Sequence, residues 1–433
     1  MNWPGQTLAG ARRSSTRFCT GPKLLNAAIL SCQNSFSQLF EAMTDCPNGG
    51  GRAWSKRLLA GLVFLGLGAA LSGCQSIRYY KQAIRGEYQI LAHREPIQKL
   101  ISDSRISLEL RAKFKLILRL REFAAKDLRL PVDGQYLRYV DLHRRYVVWN
   151  VHAAPEFSLE PKTWWYPFVG SLKYRGYFSE SDARQYAEKL KKGGWEIYVE
   201  GVEAYSTLGW FKDPILNTFI SEPEPDLAEI LFHELAHQRV FISGDTDFNE
   251  AFATTVGEEG ARRWLAAKSE ADMDKLYVAA LQRNEQFVQL IMAAREELNL
   301  LYRETSSTEN PGAPQSHLRT KVEIARLKQK KEEVIAQLRA KYAELQDQWG
   351  GLGSYARWFA KPLNNAQLNT VAAYYDLVPG FRAMLRKDGG NLEKFYEEVR
   401  VLGKLKKAER RRRVAQQARS APPILFPGMA HGG

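Results

Sequence analysis

Cysteine is scarce in this 433-residue chain, and where it stands matters more than how often it occurs. The four cysteines are Cys19, Cys32, Cys46 and Cys74, and none follows Cys74. Everything after that point folds without an internal disulfide, so core packing has to stabilise it even in an oxidising compartment. Long apolar runs are lacking as well. The stretch from Leu58 to Ala70 falls short of the ~20 residues a helix needs to cross a bilayer. The body of the chain also has little excess charge of either sign. The formal net charge is +14, but residues 1–73 carry seven basic and two acidic side chains, and residues 404–419 carry eight and one. That leaves +2 for the rest, so the basic character is not that of a nucleic-acid-binding domain and no nucleic-acid partner is expected. The tail Lys404-Leu-Lys-Lys-Ala-Glu-Arg-Arg-Arg-Arg413 reads as a solvated helix end, the alternative being a strip that leans on anionic headgroups. With 45% hydrophobic and 25% charged residues, the chain can build a full core.

The stretch that carries chemistry is Ile230-Leu-Phe-His-Glu-Leu-Ala-His237, followed by Phe248-Asn-Glu-Ala-Phe-Ala-Thr-Thr-Val-Gly257. The first contains His-Glu-x-x-His. Side chains four apart on a helix are neighbours on one face, so His233 and His237 can offer imidazole nitrogens to one ion. Glu234 lies a step round the helix, within reach of a water and free to act as general base. A catalytic zinc site uses three protein ligands and keeps a fourth position open. Glu250, near the start of the next helical pattern, is the nearest third ligand, with Glu258 and Glu259 as fallbacks. The plain alternative is a buried helix whose histidines make ordinary hydrogen bonds. Against it stand the helix-start signals Pro223, Pro225 and Asp226, and an apolar stripe of Leu227, Leu231 and Leu235 on the side away from the histidines. Asp247 is placed to cap the second helix. Ala253 and Gly257, small residues on the face of Glu250, let the two helices approach closely.

These segments resemble the gluzincin metallopeptidases, in which a Glu on the helix after His-Glu-x-x-His is the third ligand. Closer still is the resemblance to a bacterial family of predicted zinc aminopeptidases. It is carried by Tyr174-Arg-Gly-Tyr-Phe178, Ala204-Tyr-Ser-Thr-Leu-Gly-Trp-Phe211, the two helices and Leu377-Val-Pro-Gly-Phe381, and spans residues 75–400 approximately. The resemblance implies Zn2+ as cofactor, a peptide substrate, and Tyr374 as hydroxyl donor to the oxyanion, with Tyr375 as the neighbour that could replace it. A core role for Tyr374 in a C-terminal helix is the alternative. The better-known gluzincins place more residues between the second His and the Glu; here twelve separate His237 from Glu250, so the connecting loop must be tight. Cutting at a free N-terminus requires an acidic group for the substrate's ammonium, and Glu200 and Glu203 are the candidates. A zinc endopeptidase is one alternative. Another is a scaffold lipoprotein with a structural metal.

Ahead of the body, Arg52, Lys56 and Arg57, the short apolar run and Leu71-Ser-Gly-Cys74 have the layout of a secretory signal peptide. Leu-Ser-Gly-Cys resembles the bacterial lipobox, which implies lipidation of Cys74 and a membrane anchor through its acyl chains. Gln75 after it implies the outer membrane, facing the periplasm; a short retained anchor is the alternative. Met43 is the natural start of such a leader, and residues 1–73 are set aside from the fold.

The expected fold is α+β and mainly helical: a zincin-like small β-sheet, the His-Glu-x-x-His helix and a long antiparallel helical hairpin. Residues 75–135 read as helices from the spacing of Ile97, Leu100, Leu108, Phe114, Ile117 and Phe123. Residues 136–262 hold the sheet and the metal helices. Its strands are predicted at Tyr139-Val140, Tyr146–Trp149, Tyr174–Phe178 and Trp195–Val199, with a helix capped by Ser179 and stopped by Gly193-Gly194. Ala204–Gly209 is suggested as the edge that binds substrate backbone through Tyr205, Leu208 and Gly209, an internal strand and turn being the alternative. Across residues 263–350, Phe287, Ile291, Ala294, Leu298 and Leu301 keep a 4-3-4-3 rhythm, matched by Val334, Leu338, Tyr342, Leu345 and Trp349, so two long helices pair as a coiled-coil hairpin. It packs structurally, rims the cleft or projects as an arm for a protein partner. Residues 351–402 complete the catalytic part, and residues 403–433 form a basic tail, expected to be disordered.

Overall fold

Residues 74–166, 170–204, 207, 212–268, 271–307, 320–352 and 355–420 are described in a computed structural model. The leader, and Tyr205, Leu208 and Gly209, lie outside the described residues. The chain opens with helix α1 (Cys74–Ala92), strand β1 (Glu95–Pro96), α2 (Ile97–Ser102) and α3 (Leu108–Lys126). Ser107 caps α3 by accepting the amide of Leu110, and Ile97, Leu100, Phe114 and Ile117 are buried, whereas Leu108 in the first turn is 78% exposed. The sheet region follows as β2 (Arg138–Val140), β3 (Val148–Pro155), β4 (Trp164–Tyr166), β5 (Gly170–Leu172), β6 (Arg175–Tyr177), α4 (Glu180–Lys192), β7 (Trp195–Val202) and β8 (Ile215–Leu216).

Three small sheets result, in the orders β6-β3-β7, β1-β2-β8 and β4-β5. In the first, β3 is central and antiparallel to both neighbours, with Val151 opposite Val199 and His152 opposite Tyr198. Its alternate residues serve two cores. Val151 and Ala153 pack with Ala183 and Ala187 of α4, whereas Ala154 and Tyr198 pack with Ala366 on the opposite face. A strand covered on both faces need not alternate apolar with polar, which is why β3 runs to Pro155, well past the Trp149 read from sequence. α4 begins and ends as expected: Ser179 accepts the amide of Asp182, and Gly193 closes the helix, followed by Gly194 at φ +83°.

The second half is helical: α5 (Glu224–Arg239), α6 (Thr246–Ala267), α7 (Ala271–Ser307), α8 (Lys321–Gln348), α9 (Ala356–Phe359), α10 (Asn365–Tyr375), α11 (Val378–Lys387), α12 (Leu392–Gly403) and α13 (Lys407–Ser420). The protein is therefore α+β and mainly helical. α7 and α8 pair as a hairpin whose Phe287, Ile291, Leu298, Val334 and Leu338 lie in the main core. The hairpin lies along the body. Tyr302 donates to Asn365 at 3.1 Å, and Lys331 reaches Glu196 of β7 and the carbonyl of Glu156. No helix among the described residues is long and apolar enough to cross a membrane.

Residues 407–420, expected in the disordered tail, form α13 instead. The physical reason is a set of acids that the sequence does not advertise as partners. Arg410 is buried and holds Asp245 at 2.5 and 2.8 Å, Arg411 donates to Asp247 at 2.9 Å and also to Asp376, and Val414 is fully buried. Val414 seats where Gly380 of α11 has no side chain, since a Cβ there would meet the carbonyl oxygen of Val414 at 2.2 Å. Half of a buried ion pair is costly to keep alone. Arg410→Ala should therefore destabilise the protein by about 3–5 kcal/mol, and the double variant Arg410→Met, Asp245→Asn should recover most of that loss, as read by denaturant unfolding.

Candidate metal centre

The sequence starts α5 with proline at the helix start, Pro223 preceding it and Pro225 within its first turn, where the missing N–H costs nothing. Every residue from Pro225 to His237 except Glu229 is buried. The expected apolar stripe is thus only part of the contact: the helix is packed all round, as an internal helix is. α6 lies against it, and two glycines set how near. A Cβ on Gly257 would stand 2.9 Å from the carbonyl oxygen of Glu229 and 3.1 Å from Cβ of His233, and one on Gly260 would meet Phe232 at 2.7 Å. The backbone of α6 therefore touches α5 beside the first histidine.

That contact brings three side chains together. His233 Nε2 and His237 Nε2 lie 3.2 Å apart, and Glu250 Oε2 is 3.4 Å from the first and 3.7 Å from the second. A tetrahedral shell at about 2.0–2.1 Å from an ion sets its ligand atoms about 3.3 Å apart. The observed triangle has that size, and these three are the group of His, Cys, Asp and Glu side chains among the described residues whose donor atoms converge enough to hold a metal. Glu258 and Glu259 are not available as substitutes. Glu258 is bound by Arg382 at 2.6 Å, and Glu259 by Arg262 and Arg263.

The electrostatics suit a cation. Burial pulls the pKa of His233 down to about 4 and that of His237 to about 3, so both imidazoles are neutral and able to ligate at neutral pH. Glu234 is buried, and neither carboxyl oxygen has a hydrogen-bond partner among the described residues. Burial, then the charges of Glu250 and Asp213, push its pKa well above the ordinary value. A carboxyl without partners beside two neutral histidines and a second carboxylate is the donor set a dication would satisfy.

Further groups ring the triad. Tyr374, on α10, is buried with its hydroxyl unpartnered among the described residues; burial and then the charge of Glu250 raise its pKa well above the usual. Tyr375 sits in a different surround: its pKa is raised by burial and then by Glu258 of α6 and Glu229 of α5, not by Glu250. Sequence reading missed His152. It sits on β3, hydrogen-bonded to Glu200 at 2.9 Å, with its ring 5.6 Å from that of Tyr174. Burial, then Glu250, raise the pKa of the Tyr174 hydroxyl, and Glu200 adds to it, so Glu200 belongs to this surround. Tyr136, also missed, is buried with a positive φ of 56° and an unpartnered hydroxyl, and Glu234 contributes to its raised pKa after burial. The signal for both was weak: an isolated His in an apolar strand and a Tyr at a loop end look like core residues.

Asp247 does not cap α6. The helix starts one residue earlier, at Thr246, and the Asp247 carboxylate is held by Lys173 at 2.6 and 2.8 Å and by Arg411. Burial alone would raise its pKa; the two cations outweigh that and hold it below the ordinary range. Asp247, His152, Tyr174 and Tyr374 all line one cavity of about 470 Å³, which also takes in side chains of α7. The hairpin therefore rims the space beside the triad.

A mainly helical α+β protein with a buried His-His-Glu cluster and an adjoining cavity is the class these features define. Residues 78–414 match the family model described as "Putative aminopeptidase", and the chain belongs to that family. No curated protein and no solved structure matches it.

The raised pKa of Glu234 has a measurable consequence. Its folded pKa lies above the ordinary value of 4.5, so its unfavourable contribution is absent below that pH and grows as pH rises, by about 1.4 kcal/mol per pH unit until the folded pKa is reached. Metal-free Glu234→Gln should therefore be more stable than the metal-free parent, with a gap that widens from pH 5 to pH 7 in denaturant titrations. A gap that stays level would contradict the burial of an unpartnered carboxyl.

Proposed function

We propose that the protein is a zinc-dependent aminopeptidase, with His233, His237 and Glu250 as the ligands and Glu234 as the general base. The observation that carries this reading is the unpartnered Glu234 carboxyl beside a triangle of ligand atoms at tetrahedral spacing. When bound, the zinc supplies Lewis acidity toward a peptide carbonyl and lowers the pKa of water. The chain's own residues do the rest. Glu234 accepts the proton of the attacking water and hands it to the leaving nitrogen. Glu234, whose carboxylate form burial disfavours, would be ionised more readily once a dication is bound beside it. Tyr374, with its hydroxyl buried and uncommitted, donates to the developing oxyanion. Glu200, held by His152, gives the negative charge that a substrate's free ammonium needs. Three protein ligands, as gathered among the described residues, would leave a fourth coordination position for water or substrate, which catalysis requires.

The leader and Cys74 support placement in the bacterial cell envelope, with Cys74 acylated and anchored in the outer membrane, and the hairpin serving as a wall of the cleft. Replacement of Cys74 by Ala should shift the protein from the membrane to the soluble fraction of the envelope.

For the chemistry, Glu234→Gln should lower kcat by at least a hundredfold, as loss of a general base does, and still bind one zinc per chain by elemental analysis. His233→Ala should lose the metal. Glu200→Gln should erase the preference for free over N-acetylated peptides. An unblocked preference that survives Glu200→Gln, or a Glu234→Gln protein with full turnover, would overturn the assignment.

A further inference from the structure

The cavity lined by Tyr174 and Tyr374 holds a largely buried cation that no carboxylate pairs directly among the described residues. Arg295, on α7, is largely withdrawn from solvent, and burial pulls its pKa down, an effect that the charges of Asp376 and Asp247 oppose without reversing it. It donates through Nη1 to the side-chain oxygen of Asn369, while its Nε is buried without a partner. No carboxylate forms an ion pair with it among the described residues. The two acids that share the cavity wall are taken elsewhere: Asp247 is held by Lys173 and Arg411, and Asp376 by Arg411. Glu160 and Glu296 line the same cavity but are exposed to water. Asn369 is itself fixed, its amide nitrogen donating to the carbonyl of Leu159 at 3.0 Å, so its oxygen is turned toward Arg295. A guanidinium kept in place by a neutral amide, with no carboxylate bonded to it and the nearest acids engaged by other cations, is arranged for an anion that arrives with a ligand.

Arg295 and Tyr374 line the same cavity, so a ligand held by Arg295 shares its space with the residue assigned to the oxyanion. At about 470 Å³ the space is of the size that takes small ligands, and a folded chain does not fit it. We infer that Arg295 receives the free C-terminal carboxylate of a short peptide, which makes the substrate class di- and tripeptides rather than long chains. This rests on the peptidase reading above. Arginine suits the task because its planar fork can pair both oxygens of a carboxylate, which a lysine ammonium cannot. With Glu200 for the ammonium and Arg295 for the carboxylate, the site would measure a peptide from end to end.

The test separates binding from turnover. Zinc-loaded Glu234→Gln protein is titrated calorimetrically with dialanine, with dialanine amide, and with an amidated dipeptide that ends in glutamate. The free acid should bind about ten- to a hundredfold more tightly than the amide, the range expected for charge-assisted hydrogen bonds. Adding Arg295→Gln should bring that ratio close to one, and Arg295→Lys should leave a reduced ratio. Equal binding of acid and amide before any change at position 295 overturns the inference without need of a second variant. So does discrimination that survives Arg295→Gln. If the amidated glutamyl peptide binds as well as the free acid, the site reads an acidic side chain and the terminal-carboxylate assignment falls. Separately, the wild-type protein is assayed for hydrolysis of dialanine and of longer peptides. Absence of hydrolysis of all of them counts against the peptidase reading, whereas the binding ratios judge Arg295 alone.

Discussion

The contact on which the rest depends is backbone against side chain, where α6 crosses α5 at Gly257. Two histidines four residues apart on one helix define a pair of donors, but a third donor must come from elsewhere, and a carboxylate on a short stem reaches only as far as its helix approaches. Any Cβ at Gly257 would press on the carbonyl of Glu229 and on His233 itself, so the residue that permits the approach also touches the first ligand. The tight loop between His237 and Glu250 is tolerable because the helices it joins lie so close. Asn249 closes it from within, its side chain accepting from the amide of Ile242 and donating to the same residue's carbonyl, both at 2.8 Å.

The site also concentrates several unfavourable burials. Glu234, Tyr374, Tyr136 and His237 Nδ1 each leave a buried polar atom without a hydrogen bond among the described residues, and such groups ordinarily find partners. Other buried polar atoms lack partners elsewhere, such as both side-chain amide atoms of Asn150 and the hydroxyl of Tyr342, but these four belong to the triad and its immediate surround. Stacked and edge-on aromatic pairs such as Phe287 with Tyr355 at 4.0 Å and Tyr342 with Phe359 at 3.9 Å fill the base of the hairpin. Stability built there offsets polarity left unsatisfied at the centre, the distribution expected where function and packing compete.

Much of this was legible in the residues, and the limits have physical reasons. The His-Glu-x-x-His spacing is a property of one helix, so the juxtaposition of His233 and His237 could be read with no tertiary information. The hairpin was legible for the same reason, since its rhythm is local. Glu250 depended on an interhelical distance that sequence does not state, and the glycine at 257 was the hint. Glu258 and Glu259 could be set aside only once Arg382, Arg262 and Arg263 were seen to hold them. β3 was cut short because a strand covered on both faces loses its alternation. The run of arginines after residue 409 looked solvated because its partners, Asp245, Asp247 and Asp376, are far away in the chain. Arg295 gave no signal at all: what distinguishes it is an absent partner, which only three-dimensional placement reveals.

The docking of α13 carries a consequence for the order in which the centre can be completed. Arg410 and Lys407 grip Asp245, and Arg411 grips Asp247, and both acids stand at the loop that delivers Glu250 to its histidines. Translation runs from N-terminus to C-terminus, so the segment bearing all three ligands leaves the ribosome well before the arginines that brace it. Until those arginines arrive, Asp245 lacks its buried guanidinium partner and Asp247 has Lys173 alone. The loop beside His233, His237 and Glu250 thus gains its last braces only when nearly the whole of the body has been made.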